Sequence, residues 1–559
     1  MGGIPCYSVM SQEPLPVLIV GAGPVGLSTA LALAQSGVAI RLIDRLKEPT
    51  NQSRAAIIHA RTLEMLERLG IVEDFLNAGT KVHGAEIYGP NNVLLTHPNM
   101  DHLPSAYAYM VGLEQNLTEH ILRERLAALG VQVEREITLT GFEQADDKVT
   151  VRYTRPDGAA TAEEFCYVIG ADGATSTVRH TLGLVLEGET IDATWITADV
   201  KIDWSRSLDT AAAYLTTEGF AFFAPMNDGR WRVLVNMKKM SREESAGIAL
   251  ADLQKILLER FHLDAPMSDC VWMSPFSINT RMTSTMRDRR VFLVGDAAHV
   301  HSPVGGQGMN TGIQDGLNLA WKLALVVQGI ATESLLETFN FERHRNAQKL
   351  LQLVGPATKL INLRHPVPVE IRNFAIRTLS QLGLTAQMPR NFSMLGVEYL
   401  KTPLNAEHHT RETLKDTLLG WLPFDHAPKP GQRAPDVAEL SRGGDKVQRL
   451  FEFWKGDPRH QLLVFAGTNL SHEQLETLLD FAKEFTSDFI KTSVITASPM
   501  PNVSEALTDI NGEAHATYGA AHEALYLIRP DGYIAFRSDK VDRNSLKSYL
   551  DEWYPHRAG

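Results

Sequence analysis

The sequence predicts an α/β protein that begins with a parallel sheet and continues into further units. The first observation is the order of four segments: a β-branched run at residues 16–20, the glycine motif GAGPVG at 21–26, an Ala- and Leu-rich stretch at 27–35, and an apolar run at 39–43. Strand, glycine turn, helix and strand in this order predict a βαβ unit. The second observation is the length of 559 residues, which at roughly 150 residues per domain allows three or four domains.

Composition excludes several other classes of protein. Hydrophobic residues make up 44% and charged residues 21% of the chain, as in ordinary globular proteins. The net charge of −12 argues against nucleic acid as a partner, because such proteins need local positive charge. Cys6, Cys166 and Cys270 have neither CxxC nor zinc-ligand spacing, which predicts no disulfide and no metal site and favours a cytoplasmic location. No apolar run is long enough to span a membrane, and residues 1–14 are interpreted as a disordered extension.

Later segments follow two further patterns. Alternating residues at 220–224 and 231–236, joined by Asn227-Asp228-Gly229, predict a hairpin in an antiparallel sheet. From about residue 335 to 404 the pattern is mainly helical, and prolines between 423 and 435 predict a linker to a C-terminal unit. Other strands are predicted at residues 131–133, 149–153, 167–169, 291–294, 462–465 and 489–495, helices at 115–129, 472–485 and from about Asn310, and a second hairpin at 526–536.

The glycine motif has the spacing of a dinucleotide-binding turn. Gly21 would make the turn, Gly23 would admit a pyrophosphate, and Gly26 would let helix and strand approach each other. Asp44 ends the next strand, where a carboxylate can accept hydrogen bonds from ribose hydroxyls. The motif alone is also compatible with an incidental glycine turn, but the flanking strands and Asp44 favour dinucleotide binding.

Two further segments identify the cofactor. Gly170-Ala171-Asp172-Gly173 follows one predicted strand, and Gly295-Asp296-Ala-Ala-His299 follows another, with Pro303 and the sequence GGQGMN at 305–310 shortly after it. With these three ordered motifs, residues 15–350 resemble the class A flavoprotein monooxygenases, the aromatic hydroxylases related to para-hydroxybenzoate hydroxylase and phenol hydroxylase.

The resemblance implies a division into domains. Residues 15–80, 111–183 and 281–335 would form a Rossmann-type FAD-binding domain, and residues 81–110 and 184–280 an inserted antiparallel-sheet substrate domain. Residues 336–420 would be a helical connection. Residues 421–559 resemble the thioredoxin-like domain of the phenol hydroxylase branch but lack CxxC, since the corresponding positions read Ala466-Gly-Thr-Asn469. The resemblance leaves both a monomer and a homodimer open.

The resemblance implies FAD as the cofactor and NADPH or NADH as a transient reductant, and no second dinucleotide motif is present. Asp296 would bind the ribityl or pyrophosphate region. The amides of Gly308, Met309 and Asn310 would face the flavin pyrimidine, where the positive end of a helix stabilises negative charge. The candidate cofactor contacts are Gly21, Gly23, Pro24, Gly26, Asp44, Arg45, Arg54, Gln115, Asp172, Gly295, Asp296, Pro303, Gly308, Met309 and Asn310.

Structural roles compete with some of these assignments. Asp172 and Asp296 are also candidates for capping the segments that follow their strands. Arg54, Arg61 and Arg123 match family positions that contact or flank FAD, but each is also a candidate for a surface ion pair. His299 and His301 are interpreted as structural histidines.

The reaction implied by the resemblance is aromatic hydroxylation. NAD(P)H reduces FAD, the reduced flavin forms a C4a-hydroperoxide with O2, and one oxygen atom passes to a phenolic, polyketide-like or polycyclic aromatic substrate. Arg54 and Pro303 are the candidates for catalytic roles. Phenol hydroxylase has a carboxylate at the position of Ala56, so water, another group or the acidity of the substrate would replace it. Epoxidation, Baeyer–Villiger oxidation and a non-catalytic flavin-fold binding protein remain alternatives.

Aromatic residues of the inserted sheet are candidates for the substrate wall, because they can stack on an aromatic ring. An aromatic run at strand spacing is also typical of a hydrophobic core. The candidates are Tyr107, Tyr214, Phe220, Phe222 and Pro225, with Tyr109 and Phe223 beside them.

Overall fold

The computed structural model of the protein describes residues 14–50, 55–302, 305–361, 366–381, 388–409, 423–444, 446–468, 470–499 and 506–556. Residues 1–13, which contain most of the predicted extension, lie outside this set.

The strands of the described residues are numbered in chain order. They are β1 Val17–Val20, β2 Ile40–Asp44, β3 Ile57–Ile58, β4 Thr80–Val82, β5 Gly84–Tyr88, β6 Leu94–Thr96, β7 Met110–Gly112, β8 Val133–Arg135, β9 Thr138–Gln144, β10 Val149–Thr154, β11 Ala160–Phe165, β12 Tyr167–Gly170, β13 Glu187–Ile202, β14 Thr210–Thr216, β15 Gly219–Pro225, β16 Trp231–Met237, β17 Met267–Met282, β18 Arg287–Asp288, β19 Val291–Leu293, β20 His299–Val300, β21 Ala406–His408, β22 Leu440–Arg442, β23 His460–Ala466, β24 Ile490–Thr496, β25 Leu507–Asp509, β26 Glu523–Ile528 and β27 Ile534–Ser538.

The helices of the same residues are numbered in the same way. They are α1 Pro24–Gln35, α2 Ala60–Arg68, α3 Val72–Ala78, α4 Gln115–Ala128, α5 Thr177–Thr181, α6 Arg242–Ala246, α7 Leu250–Phe261, α8 Gly308–Val327, α9 Ser334–Ile361, α10 Pro366–Gln381, α11 Met388–Phe392, α12 Pro423–His426, α13 His472–Phe485, α14 Glu513–Thr517 and α15 Arg543–Trp553. None of these described helices combines the length and the apolar character of a membrane span.

A six-stranded sheet with the order β18-β19-β12-β1-β2-β8 forms the first layer. Val17 of the central strand β1 pairs in parallel with Ile40 and Tyr167. All four residues of β1 are buried, as is typical of a parallel strand covered on both faces. The predicted βαβ unit is therefore confirmed. The strand predicted at 131–133 starts later, at β8, because the Val131 amide donates to Leu126 O in the turn that ends α4.

The second large sheet has eight strands in the order β20-β17-β13-β16-β15-β14-β5-β6. The predicted hairpin is confirmed, since β15 and β16 are antiparallel neighbours. The predicted antiparallel sheet nevertheless contains one parallel pair, β14 and β5. The reason is that β5 enters from a much earlier part of the chain rather than through a hairpin with β14.

The two faces of this sheet pack against different helices. Phe223 and Trp231 share an apolar cluster with Leu257 of α7. Phe220 lies on the opposite face, in a cluster with Ile376 of α10. Because side chains alternate along a strand, the aromatic residues of this sheet are divided between two separate environments.

Helix α8 packs very closely on α1. A Cβ at Gly312 would lie 2.6 Å from Val25 Cγ2, and a Cβ at Gly316 would overlap Thr29 Oγ1. Any larger residue at either position would push the two helices apart. The sequence of α8 therefore sets how near its first turn comes to the glycine motif.

The C-terminal unit is built on a seven-stranded sheet with the order β21-β27-β26-β23-β24-β25-β22. Strands β23 and β24 are parallel and are connected through α13, whereas β26 and β27 form an antiparallel hairpin beside β23. Leu546 of α15 and Leu475 of α13 belong to one apolar cluster. The strand, helix, strand and hairpin predicted for this unit are confirmed.

Buried ion pairs join the C-terminal unit to α8 and α9. Arg529, in the turn after β26, contacts Glu342 of α9 at 2.7 Å and Asp531 at 2.6 Å. Lys322 of α8 donates to the Glu342 carboxylate at 2.8 Å, and Asn318 donates to Asp531 at 2.9 Å. Burial alone would raise the pKa of Glu342, but the charges of Arg529 and Lys322 hold it below the ordinary range. The carboxylate is therefore ionised, and it ties two units together.

Replacing Glu342 by Gln should leave Lys322 and Arg529 with one carboxylate, Asp531, between them. We expect the free energy of unfolding to fall by about 3–5 kcal/mol, because a buried charge would lose its partner. Urea denaturation of the holoprotein measures the change. Glu337→Gln is the matched control on the same helix, since the Glu337 side chain is 75% exposed and its removal should change stability little. Equal losses in both variants would contradict the role of the buried pair.

Candidate active site

Three strand ends meet at one edge of the six-stranded sheet. The Gly21 amide follows β1, the Ala171 amide follows β12 and donates to Val20 O at 2.8 Å, and the Val294 amide follows β19 and donates to Gly170 O at 3.0 Å. Because β1, β12 and β19 run in parallel, their carboxyl ends lie side by side, where open α/β sheets bind ligands. The structure thus brings the three sequence motifs together.

The glycine motif is tight at its first and third glycines and open at its second. Gly21 has φ +106°, and a Cβ there would overlap Ala171 O. A Cβ at Gly26 would overlap Gly21 O, whereas a Cβ at Gly23 would meet no atom within 4 Å. Pro24 then starts α1 without the need for an N–H partner. The open space beside Gly23, at the start of a helix, fits a pyrophosphate.

Asp44 lies at the end of β2 beside this turn. Its Oδ2 accepts from the Ala22 amide at 2.7 Å, and its Oδ1 accepts from the Leu46 amide at 2.8 Å. The carboxylate is 14% exposed, with the Arg135 guanidinium 4.0 Å away. Neighbouring Arg45 is exposed. This geometry places a partly accessible carboxylate acceptor next to the glycine turn, which fits the hydroxyl groups of a ribose.

Asp172 and Asp296 differ in their surroundings. Asp172 Oδ2 accepts from the Thr177 amide at 2.7 Å and the Val178 amide at 3.2 Å, which is a capping contact for α5. The structural interpretation of Asp172 is therefore confirmed, and its contact with a cofactor stays a prediction. Asp296 is exposed in a short 3-10 turn at Gly295–Ala297. Its position at the strand-end edge fits a ligand hydroxyl or amide.

The first turn of α8 faces the same edge. Gly308 begins the helix, followed by Met309 and Asn310, and an α-helix has no intrahelical acceptors for its first N–H groups. The buried Asn310 side chain donates to Ile57 O at 2.8 Å and Gly306 O at 2.9 Å. These bonds hold residues 305–307, here called the loop before α8, against β3. The start of the helix and this loop therefore form one unit.

His59, which the sequence did not single out, supports this loop. Its Nε2 donates to Gly305 O at 2.7 Å, and its Nδ1 is buried with no partner among the described residues. Burial lowers the pKa of His59 to about 4, so the ring is neutral at physiological pH. No spacing or motif marks this residue, because its role depends on contact with a loop about 250 positions later in the chain.

Several other histidines and arginines considered as site residues have structural contacts. His299 lies 2.7 Å from Asp315, as its structural interpretation predicted. Arg61 is 2% exposed and donates to Glu64 at 2.8 Å and to Asp531 O of the C-terminal unit. The surface ion pair proposed as one role for Arg61 is therefore wrong in its location, because the C-terminal unit covers the residue.

Arg123 lies 3.6 Å from Glu119 on α4 and is 21% exposed. Gln115 accepts from the Ala55 amide at 3.2 Å, and Arg54 and Pro303 lie outside the described residues.

The predicted aromatic wall is split by the sheet. Phe220 and Phe222 are stacked on the face covered by α9 and α10. Tyr214 lies in the cluster of the opposite face, and its hydroxyl accepts from Arg206 at 2.5 Å. Tyr107 lies below the Arg449 guanidinium of the C-terminal unit. The structure therefore does not bring Tyr107 and Tyr214 together with Phe222.

Phe222 shares an apolar cluster with two residues, Ile57 and Phe392, that lie beside the loop before α8. It packs against a cluster that contains Ile57, Met110 and Ala224, with Phe392 of α11 at its margin. Phe392 Cε1 lies 3.1 Å from a Cβ position at Gly305. Pro225, three residues after Phe222 on β15, has its carbonyl oxygen against Gly112. No motif or spacing marks Ile57 and Phe392, which come from separate segments.

Comparison with known proteins places this arrangement among FAD-dependent enzymes. The FAD binding domain family matches residues 14–354. The chain is 34% identical over 549 residues to 6-methylpretetramide 4-monooxygenase of Streptomyces rimosus. This match covers 96% of the chain and 92% of that protein. It is 31% identical over 551 residues to pentachlorophenol 4-monooxygenase of Sphingobium chlorophenolicum, covering 95% of each. The solved structure of OxyS anhydrotetracycline hydroxylase from Streptomyces rimosus has a TM-score of 0.73 and 27% identity and covers 98% of this chain and 100% of that one.

Gly23→Ala should weaken FAD binding without weakening the apoprotein. The added methyl group meets no protein atom within 4 Å, but it would occupy the space that fits the pyrophosphate. We expect the dissociation constant for FAD, measured by flavin fluorescence titration, to rise by about tenfold or more, with the melting temperature of the apoprotein unchanged. Gly355→Ala in α9 is the control, since its Cβ also meets no atom. Unchanged FAD affinity in Gly23→Ala would exclude the pyrophosphate from this turn.

His59 should make the protein sensitive to acid. The unfolded chain binds a proton near pH 6.5, but the folded chain binds it only near pH 4. The stabilisation is therefore present above pH 6.5 and is lost as the pH falls. Between pH 7.5 and 5.0 we expect wild type to lose roughly 2 kcal/mol more unfolding free energy than His59→Gln, whose amide can still donate to Gly305. His120→Gln, at an exposed histidine of α4, should follow wild type, and identical pH profiles for wild type and His59→Gln would refute the effect.

Proposed function

The chain belongs to the family of FAD-binding aromatic monooxygenases, and from that premise we propose that it uses FAD, NAD(P)H and O2 to hydroxylate a phenolic or polycyclic aromatic substrate. The observation that carries the proposal is the meeting of three strand ends with the first turn of α8, beside an aromatic-lined face of the eight-stranded sheet. One edge of the fold thus offers a dinucleotide cradle and an apolar surface next to each other. That combination suits a bound flavin with an aromatic substrate alongside it.

The proposed cofactor contacts follow from the geometry at this edge. Gly21, Gly23, Pro24 and Gly26 would hold the pyrophosphate, with Asp44 on the ribose and Arg45 at the entrance. Gly295 and Asp296 would face the ribityl chain, and the amides of Gly308, Met309 and Asn310 would face the pyrimidine ring, with Gln115 and Asp172 at the margins. When bound, FAD supplies the electron transfer and oxygen chemistry that side chains lack. The positive end of α8 would stabilise negative charge near its first turn.

The substrate would lie on the face that carries Phe220 and Phe222. Both rings pack among apolar neighbours there, and Ile376 of α10 covers the same cluster, so this face would exclude water and orient an aromatic ring by stacking. Ala56, buried beside β3, has no proton-accepting group. A substrate that ionises through its own acidity suits this site, and a polycyclic phenol is more acidic and larger than phenol itself.

The C-terminal unit would be a thioredoxin-like module without redox function. Its support is the neighbouring order β27-β26-β23-β24, with α13 connecting two parallel strands and α15 after the hairpin. No cysteine occurs in residues 421–559, so thiol exchange is excluded. The buried ion pairs to α8 and α9 support a structural role in which this unit holds these two helices in place.

The purified protein should be yellow and should oxidise NADPH faster when a suitable phenol is added. A panel of simple, naphthalenic and polyketide-like phenols tests this, with mass spectrometry for the gain of one oxygen atom and NMR for its position. An added hydroxyl on an aromatic carbon supports hydroxylation, whereas an epoxide or a ring-inserted oxygen would favour the alternative reactions. Absence of flavin absorption, or of any oxygenated product, would refute the proposed function.

Two neighbouring phenylalanines provide a matched pair of variants. Phe222→Leu changes the proposed substrate face, whereas Phe223→Leu changes the face that packs on α7. We expect Phe222→Leu to lower the ratio of product formed to NADPH consumed by about threefold or more, because water reaches the site. Phe223→Leu should lower thermal stability and leave that ratio unchanged. The reverse outcome would place the substrate on the other face.

A further inference from the structure

Arg372 differs from the other buried arginines because it has no acidic partner among the described residues. Eight arginines of the described residues are buried. Arg61, Arg232, Arg343, Arg529 and Arg537 form ion pairs with Asp or Glu. Arg68 and Arg179 experience the charges of Asp457 and Asp172, respectively. For Arg372, burial lowers the pKa to about 10, and no carboxylate in the described part of the chain opposes this shift.

The hydrogen bonds of Arg372 leave part of its guanidinium unsatisfied. Its Nε donates to Asn373 Oδ1 at 3.0 Å, and its Nη1 donates to Leu360 O at 3.3 Å. Its Nη2 is buried and has no partner in the part of the chain that the structure describes. The side chain is 4% exposed, and an unpaired charge at this depth costs free energy unless a ligand supplies the counter-charge.

The position of Arg372 connects it to the proposed substrate face. It lies on α10 four residues before Ile376, which packs in the cluster of Phe220 and Trp195. Residues four apart share one face of a helix and are separated by about 6 Å along its axis. Further along the same face, Ser380 contacts Thr96 of β6 at 2.8 Å. Asn373, next to Arg372, lies 3.3 Å from a Cβ position at Gly89, just past the end of β5. The start of β5 follows β4, whose sheet contains β3 with Ile57 beside the loop before α8, so Arg372 lies toward the opposite end of this face.

We propose that Arg372 binds an anionic oxygen group, a carboxylate or an ionised enol, on the substrate at the end remote from the carbon that is hydroxylated. The proposal rests on the proposed function and narrows its substrate class. A planar anion can accept from Nη2 and Nη1 together, the geometry that favours arginine over lysine. A substrate that contacts both Arg372 and the region beside the loop before α8 must extend along this face, so the proposal favours extended aromatic acids over a monocyclic phenol.

A purely structural role makes the opposite prediction for stability. If Arg372 served only to cap Leu360 O, its replacement by Met would destabilise the protein. If its unpaired charge is kept for a ligand, Arg372→Met should leave the melting temperature of the substrate-free holoenzyme unchanged or raised, because a buried charge without a counter-charge is removed. Differential scanning calorimetry measures this without turnover. A lowered melting temperature would overturn the proposal.

Binding to the oxidised holoenzyme provides the second readout. The first pair of probes is 1,4-dihydroxy-2-naphthoate and its methyl ester. The second pair, an enolised cyclic diketone and its O-methyl ether, tests the second kind of anion. Binding of each probe is measured from the change in flavin absorbance without NADPH. We expect Arg372→Met to weaken binding of at least one anion by about 30-fold and of its neutral partner by less than about threefold, and Arg372→Lys to recover part of the loss. Arg377→Met, at an exposed arginine of the same helix, should bind all probes as wild type does.

Two outcomes of the binding experiment would also overturn the assignment. One is equal weakening of an anion and its neutral partner in Arg372→Met, and the other is a wild-type enzyme that prefers neither anion over its neutral partner. In either case the hydroxylase proposal stands if the neutral probes still gain an oxygen atom with NADPH. Failure of the proposed function would instead appear as no flavin or no oxygenated product from any probe, regardless of the residue at 372.

Discussion

The buried charges of α8 fix the position of that helix, and the candidate site includes its first turn. Helix α8 buries Asp315 and Lys322 completely, and charges at that depth are tolerated only when they are paired. Asp315 contacts Arg343 and His299 at 2.7 Å and accepts from the Gly295 amide at 3.1 Å. The same carboxylate therefore ties α8 to α9 and to the turn after β19. A shift of α8 would break these bonds together, so the first turn of the helix has a single position relative to the glycine motif.

The C-terminal unit completes this arrangement from the other end of α8. Asp531 and Arg529 come from one hairpin turn, yet they meet Asn318 of α8 and Glu342 of α9. The Arg61 side chain of α2 reaches the carbonyl of Asp531. Three segments of the FAD-binding region thus share one turn of the C-terminal sheet. The C-terminal unit therefore contributes counter-charges and hydrogen bonds to the helices of the FAD-binding region.

The sequence predicted those features whose signals are local. The βαβ unit, the hairpin at β15 and β16 and the elements of the C-terminal unit all follow from periodicity and turn residues within short windows. The aromatic wall was predicted less well, because membership of a face depends on strand register: alternation within β15 separates Phe222 from Phe223, but the relation of Tyr214 to either requires the pairing of β14 with β15. The sequence did not single out His59 and did not predict that the C-terminal unit buries Arg61, since their partners Gly305 and Asp531 are hundreds of residues away.

Buried charges in this protein differ in whether the chain supplies their counter-charges. Where such charges serve the fold, as at Asp315 or Glu342, the chain itself supplies every counter-charge. Single buried polar atoms without a partner among the described residues also occur in the C-terminal unit, as at Gln461 Oε1 and His515 Nε2, so such an atom alone does not indicate a ligand. Arg372 differs because its whole side-chain charge is buried and no carboxylate of the described residues opposes the effect of burial. A buried charge without a counter-charge costs free energy on folding, and a ligand that arrives after folding explains why the chain keeps it.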